Sequence, residues 1–520
     1  MPSVTESWEQ AQRLEAAGTR EAARPHYEAI LDVEPGHVPA RLRLSRLEQA
    51  AGRYTTARAH ALQAAAAVRE RHGSRHAGFV SARLLEFAEE QEAATLILAC
   101  DWSDPDILRQ SPVLAQHLWL AGHYHDALRL LDVAIRVAPA HPLLALTRAN
   151  VLRYLGDMDG AERGYEACLA LAPALADAHW ALATHRRAQP PLARVPRLQQ
   201  ALRATPDDPQ ARTHLLYALF REYDAADQPE LAWAALEEGA ALARTRVAYD
   251  PRREAAALQR LMREPVAAPI ATEASAGPRP LFVVGMPRTG TTLLDRILGN
   301  HDQVRSLGER NDLAAAVSEA SGCFFHSGLD EAGATLLASV DPAQAGAAYL
   351  RRTVGAGVEG SHFIDKNPLN LFSVPLILRA LPQARIVCLR RAPMDACFSN
   401  LKELFQGGAY PYSYTQDDLA DHCRHAHAWM AHWQAVAPHA VRVVDYEVLV
   451  ESPAATVAGL LAFAGLPPQA GLEDITRNTA PVSTASSSQV RAGISTGAVG
   501  AWRRYARWLE PMRQRLGVPA

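Results

Sequence analysis

Residues 281–298 read LFVVGMPRTGTTLLDRIL, an apolar run, a glycine-bounded loop and then the apolar spacing of a helix. A chain with that order must bury a short strand and turn sharply into a helix, whose first backbone amides are left free to meet an anion. This is the arrangement of a phosphate-binding loop, usually G-x-x-x-x-G-K-[ST]. Gly285 and Gly290 have the right spacing, but Thr291 stands where the lysine belongs. That lysine reaches the terminal phosphates of a nucleoside triphosphate, so its loss argues against ATP or GTP hydrolysis. Arg288 restores one positive charge elsewhere in the loop. The loop suits a nucleotide with a different acidic tail.

Around this segment the pattern is α/β. Strands are expected at Leu281–Gly285, Gln303–Leu307, His362–Asp365, Arg385–Leu389 and Val441–Val444, with helical stretches between them. Such alternation predicts β-α-β units and a mainly parallel sheet, whose ligands bind beyond the carboxyl ends of the strands.

The first half has a different rhythm. Gly18/Gly52, Ala23/Ala57, Gly122/Gly156, Ala127/Ala161, Leu131/Tyr165 and Pro139/Pro173 all repeat at an offset of 34 residues. A 34-residue period with Gly, Ala, aromatic and Pro in that order is the signature of tetratricopeptide (TPR) repeats, pairs of antiparallel helices stacked into a solenoid. Ala57 and Ala127 lie 70 residues apart rather than 68, so one repeat between them is irregular. The expected organisation is a TPR-like α-solenoid over residues 1–264, a Pro/Ala/Gly/Ser linker over 265–280 and a P-loop-type α/β domain over 281–520.

Composition narrows the function class. At 520 residues the chain exceeds one ordinary domain, and a net charge of -3 gives no support for nucleic-acid binding. No run of about 18 apolar residues is present, so no membrane span is expected. The start, MPSVTESWEQ, has neither the basic nor the apolar region of a signal peptide, which points to the cytoplasm. Cys100, Cys168, Cys323, Cys388, Cys397 and Cys423 lack C-x-x-C spacing and read as buried thiols rather than zinc ligands or disulfides. No acidic pair forms an obvious magnesium site, so no metal is expected. Lys366 and Lys402 are the only lysines among 53 basic residues. The Arg and Ala enrichment points to a GC-rich bacterial coding bias.

The run Pro287-Arg288-Thr289-Gly290-Thr291-Thr292 closely resembles the P-[RK]-[ST]-G-T-T loop of sulfotransferases that use 3′-phosphoadenosine 5′-phosphosulfate (PAPS), and the catalytic half is similar to the tyrosylprotein branch. The resemblance implies that these six residues hold the 5′-phosphosulfate. It also implies that Arg391 and Ser399, eight residues apart after the fourth strand, hold the 3′-phosphate. A strand-end arginine beside a helix that opens with Pro393 suits a phosphate on physical grounds as well. By the same resemblance Glu309 is the base that takes the acceptor proton, and Lys366 stabilises charge on the departing oxygen. A compact ammonium is suited to a point charge, which makes one lysine in an arginine-rich chain informative. RVVDYEVLV resembles the family's strand ending in Y-E-x-L, which implies that Tyr446 lies near the ribose or adenine. TASSSQVRAGISTGAVGAWRRY resembles the family's closing segment, which implies that Ser486 assists the transition state and that Ser487 or Arg491 contacts the nucleotide. Ala501 stands before Trp502 where many relatives have a basic residue, which puts one phosphate contact in doubt or passes it to Arg491 or Arg503. His301, His326 and His362 fit the role of base less well than Glu309, and Lys402 reads as a solvated helix-face residue.

The resemblance thus implies sulfuryl transfer from PAPS, leaving 3′,5′-ADP (PAP), to an acceptor hydroxyl. A groove-forming repeat and a glutamate base lean toward a peptide tyrosine, with a saccharide, lipid or small phenol as alternatives. The solenoid implies a protein or peptide partner or a homodimer. The segments GCFFHSG and QGGAYPYSY are candidates for an acceptor pocket. Two other readings stay open: a P-loop kinase or NTPase, and a non-enzymatic TPR scaffold with a decayed nucleotide domain.

Overall fold

Among the described residues five parallel strands form one sheet in the order β2-β3-β1-β4-β5. They are β1 (Arg279–Gly285), β2 (Val304–Ser306), β3 (His362–Asp365), β4 (Arg385–Arg390) and β5 (Val441–Asp445). All five expected strands are present, and β1 starts two residues inside the segment read as linker. The computed structural model describes residues 3–70, 73–185, 190–264, 277–326, 328–354, 360–405, 407–478, 480–481 and 493–519. Most of the expected linker, residues 265–276, lies outside them.

The sheet is built as a covered parallel sheet requires. Every residue of β3, and all of β1 after Arg279, is buried. Strands buried on both faces are apolar without alternation, which is why LFVVG reads as a continuous run; in β3 the buried His362 and Asp365 are instead hydrogen-bonded, with Ala464 O and Tyr349 Oη. Leu281, Val283, Ile364, Val387 and Leu389 share a core with Leu294 and Ile297 of helix Thr291–Leu298 and with Leu460 and Leu461 of helix Pro453–Ala464. On another packing surface Phe282 stacks on Tyr349 at 5.5 Å, and Tyr349 lies 6.2 Å from Phe363. Each large apolar side chain buried this way contributes about 1.5–3 kcal/mol.

The chain divides into two compact units, Met1–Leu171 with Ala314–Phe325, and Ala172–Leu313 with His326–Ala520. Among the described residues the first holds five antiparallel helix pairs, from Val4–Ala16 with Arg20–Val33 to Pro142–Leu155 with Met158–Leu171. This region is TPR-like. The repeated glycines lie at the turns inside the pairs, and helices Tyr124–Val137 and Met158–Leu171 end two residues before Pro139 and Pro173. The irregular repeat is the pair Ala77–Leu85 and Glu90–Leu98, two nine-residue helices preceded by a 3-10 turn at Ser74–His76. The segment ending at Phe325 joins this unit through Phe324, 5.1 Å from Tyr54 and 5.9 Å from Phe87.

The second unit contains the sheet and also the helices from Ala176 to Leu261. Tyr217 Oη donates to Leu401 O at 3.1 Å, Arg244 pairs with Asp418 at 2.9 Å, and Trp233 stacks on Trp508 at 5.6 Å. The linker marks a change in composition; packing groups these late helices with the sheet.

Cys168, Cys388, Cys397 and Cys423 are buried, but Cys323 is exposed and Cys100 half-buried. The reading of six buried thiols is therefore corrected for two; Cys323 lies just beyond helix Asp312–Ser321. Among the described residues no helix is long and apolar enough to cross a membrane, and no group of three His, Cys, Asp or Glu is placed to hold a metal.

Candidate active site

β1 lies between β3 and β4, so their carboxyl ends and the loop after β1 share one edge of the sheet. The loop runs from Gly285 to helix Thr291–Leu298. Two glycines let it lie close to its neighbours. A Cβ on Gly285 would stand 2.4 Å from Leu389 O, and one on Gly290 (φ +100°) would stand 2.6 Å from Tyr446 Cδ2. Between them Arg288 holds φ 64°, a left-handed conformation that costs a non-glycine residue about 1–3 kcal/mol.

Three successive carbonyls of this loop are tied down. Thr289 Oγ1 donates to Met286 O at 2.7 Å, Asn400 Nδ2 to Pro287 O at 2.8 Å, and Arg391 Nη1 to Arg288 O at 3.0 Å. In a trans peptide the carbonyl and the next N–H point in opposite directions. The amides of Arg288 and Thr289 therefore face away from these partners. The first helical bond runs from Leu294 N to Gly290 O, so the amides of Thr291, Thr292 and Leu293 precede it. Amides that precede the first helical bond at a helix start are groups an anion can meet.

The side chains around it are cationic. Lys402 feels the positive charges of Arg221, Arg288 and Arg391, and burial together with those charges pushes its ammonium down to about 8 against the opposing charge of Asp224. Burial also lowers Arg288, whose guanidinium lies 3.7 Å from Glu403. Glu403 is shared with Arg221 at 3.1 Å. Among the described residues, the buried Nε atoms of Arg391 and Arg221 have no hydrogen-bond partner. Lys402, read from the sequence as solvated, is thus corrected to a member of this cluster. Its side chain turns back over the Phe398 ring at 5.0 Å instead of outward.

Arg391 is 6% exposed and stands at the centre of the cluster. It bonds the loop, donates to Ala498 O at 2.6 Å and covers the Tyr446 ring at 4.8 Å. Burial raises the Tyr446 phenol. Arg288, Gly290, Arg391 and Tyr446 are therefore brought together, with Pro287, Thr289, Thr291 and Thr292 on the same loop. Ser399 is buried on helix Pro393–Leu401, two turns beyond Arg391. Arg390 leaves the site for a bidentate pair with Asp445 at 2.6 and 2.9 Å. Ser486, Ser487 and Arg491 lie outside the described residues. Gly500 N, just before Ala501, donates to Asp395 Oδ2 at 2.7 Å, and Arg503 lies over the Trp502 ring at 5.6 Å.

Glu309 and Lys366 form an ion pair. Lys366 N also donates to Gly308 O at 3.0 Å, which joins the ends of the two segments. Asp295, on the loop helix, accepts from Ser306 Oγ at 2.6 Å; burial raises its carboxyl, and Lys366 opposes the rise. Asp365 is pushed up to about 7 by burial although Tyr349 Oη donates to it at 2.9 Å. His301 and His362 serve the scaffold, bonded to Pro467 O and Ala464 O at 3.0 and 3.1 Å.

A cavity of about 680 Å³ opens on the loop at Gly285 and Met286. His326 and Tyr410–Tyr412, from the two segments expected to form an acceptor pocket, line it together with Tyr249 and Phe372. Burial raises the Tyr410 phenol and the charge of Glu309 adds to the rise, so the carboxylate lies within Coulomb range of this wall.

Asn400, Arg221, Lys402 and Asp295 were not read as site residues. Asn400 is a poor helix former next to the expected Ser399, which was a usable signal. Arg221 is distant in sequence and gave none.

Residues 280–470 match the model of the Sulfotransferase family. An uncharacterized protein of Aquifex aeolicus is 28% identical over 402 residues, 74% of this chain and 52% of that protein. The chain thus spans about half the length of that relative. Among solved structures, a sulfotransferase from Alicyclobacillus acidocaldarius is 18% identical and covers 46% of this chain and 95% of its own, with a TM-score of 0.27. The sulfotransferase STF1 from Mycobacterium tuberculosis H37Rv is 16% identical, covering 63% and 99%, with a TM-score of 0.27. The TPR2AB domain of yeast Sti1, in complex with pHSP90, is 13% identical, covering 45% and 98%, with a TM-score of 0.17.

Proposed function

We propose that this site transfers the sulfuryl group of PAPS to an acceptor hydroxyl, without a metal. The observation that carries the reading is the cationic cluster beside the loop, Arg221, Arg288, Arg391 and Lys402, with Glu403 and Asp224 as the opposing charges. PAPS has anions at both the 3′ and 5′ positions, and two separated anions are what a cluster of this size would neutralise. The orphaned Nε atoms of Arg391 and Arg221 are donors still to be satisfied. The loop amides and Arg288 would hold the 5′ end, with Thr289, Thr291 and Thr292 beside it. Arg391 and Ser399 would hold the 3′-phosphate, and Tyr446 the nucleoside. Ser487 and Arg491 complete the expected set. Bound PAPS supplies an activated sulfuryl group.

Glu309 takes the proton of the acceptor hydroxyl through the oxygen that Lys366 leaves open. Lys366 then faces growing negative charge on the departing oxygen, with Ser486 assisting it. Most of the catalysis is positioning and charge stabilisation. The acceptor enters through the cavity next to Tyr410. A peptide tyrosine, a saccharide or a small phenol would each present the required hydroxyl, and the TPR-like unit would carry a protein partner or a second copy.

Thermal unfolding with PAP, AMP and Mg-ATP tests the donor site. A ligand at 100 times its Kd adds about 2.7 kcal/mol. A rise in Tm that requires the 3′-phosphate is expected. A rise with Mg-ATP alone would instead indicate a kinase or NTPase, and no rise with any of the three a scaffold.

A further inference from the structure

Glu254 is 1% exposed, and its carboxylate meets two histidines. His422 Nδ1 lies 2.9 and 3.1 Å from its two oxygens, and His425 Nδ1 lies 2.8 Å from Oε1. Burial works to raise this carboxyl, but the two histidines outweigh it and hold Glu254 at about 2. Glu254 therefore remains an acceptor, and His422 Nδ1–H donates to it.

The His422 ring is fixed on its other sides as well. Tyr412 stacks on it at 3.4 Å, Phe372 meets it edge-on at 5.8 Å and Tyr249 at 6.5 Å. These four residues all line the cavity that opens on the loop. Among the described residues, His422 Nε2 has no hydrogen-bond partner, although the ring belongs to a packed wall. Pinning a histidine with a buried carboxylate while leaving its second nitrogen toward a cavity serves no evident packing purpose, since an apolar ring would fill the space without a buried charge.

We propose that the Glu254–His422 dyad is an acceptor-recognition site: His422 Nε2 takes a second hydrogen-bonding group of a flat, aromatic acceptor whose reacting hydroxyl lies toward Glu309. Glu254 is the positioning residue that fixes the ring and its tautomer. The aromatic wall selects a planar body, and about 680 Å³ accommodates a fused-ring molecule. This inference rests on the sulfotransferase reading for its chemistry. The dyad joins helix Pro251–Leu261 to helix Gln416–Val436, so the helices before the linker take part in substrate choice.

The test is calorimetric titration of 2-naphthol and 2,6-dihydroxynaphthalene, two planar phenols that differ by one hydroxyl. The full chain is used, with and without saturating PAP. The diol is expected to bind about tenfold more tightly, the worth of one hydrogen bond to a fixed partner. His422→Phe should bring the diol to the naphthol's affinity and leave the naphthol within about twofold. Equal affinities in the natural protein, binding of neither phenol, or a preference that survives His422→Phe would each overturn the proposal. The natural-protein comparison decides even if the variant does not fold. Failure of PAP itself to bind would sink the donor reading separately, because the phenol titrations are also run without it.

Discussion

Lys366 Nζ donates to Glu309 Oε1 across the ends of two segments that are 57 residues apart in sequence. The two partners differ in environment, since the lysine side chain is 1% exposed and the glutamate 42%. A buried ammonium is thus neutralised by a carboxylate that still reaches the open side of the site. The pair places a proton acceptor beside a fixed positive charge, which is what an attack by a hydroxyl with departure of an anionic oxygen requires. Asp295 lies within Coulomb range of Lys366, whose charge opposes the upward push of burial on the Asp295 carboxyl.

Glu309→Gln should retain PAP binding and lose turnover by about 10²–10⁴-fold, the usual worth of a positioned general base. Calorimetry with PAP and a single-turnover transfer assay separate the two. Undiminished transfer would remove Glu309 as the base.

Gly290→Ala should damage the loop at two levels. The new methyl would need the place of the Tyr446 ring, 2.6 Å away, and a φ of +100° that alanine resists. Destabilisation of about 1–3 kcal/mol is expected. PAP affinity should fall further than stability does, read as the difference in Tm shift with and without PAP.

Asn400→Leu would release the Pro287 carbonyl without touching any charged group of the site. We expect a loss of about 1–3 kcal/mol in stability from the stranded carbonyl. PAP should bind about tenfold more weakly because one of three anchors that orient the loop is gone. Unchanged PAP affinity in a folded variant would show that the anchor does not orient the anion site.

The Lys402 ammonium titrates at about 8 in the folded protein against an ordinary 10.5. Between those values the unfolded chain holds a proton that the folded chain has lost, so stability should rise with pH across that window. A bound polyanion favours the ammonium, so PAP should bind best below about pH 8 and take up a proton above it. Titrations in buffers of different ionisation enthalpy measure that uptake. Lys402→Met should abolish it, and an unchanged proton count would exclude Lys402 from the site.

Much of this molecule was legible along the chain because the signals are local. All five strands and the loop could be read, since an apolar run, two glycines and a helical period lie within neighbouring residues of one another. The 34-residue repeat was equally plain, and its irregular member coincides with two short helices. Lys402 was misread for the opposite reason: its place in an amphipathic helix says nothing of three arginines that arrive from elsewhere. Arg221 shares a carboxylate with Arg288 only because helix Pro209–Ala225 packs with the sheet in one compact unit.

The order of elements, the glycine-bounded loop between β1 and its helix, and the placing of Glu309 after β2 and Lys366 after β3 belong to the sequence by itself, because backbone periodicity and residue type decide them. The cationic cluster, the anchoring of three loop carbonyls, the cavity and the Glu254–His422 dyad exist only in the tertiary structure. Apart from the Met286 carbonyl, which Thr289 holds from three residues away, each needs groups more than 90 residues apart to meet, and only packing in three dimensions brings them within hydrogen-bond or Coulomb range.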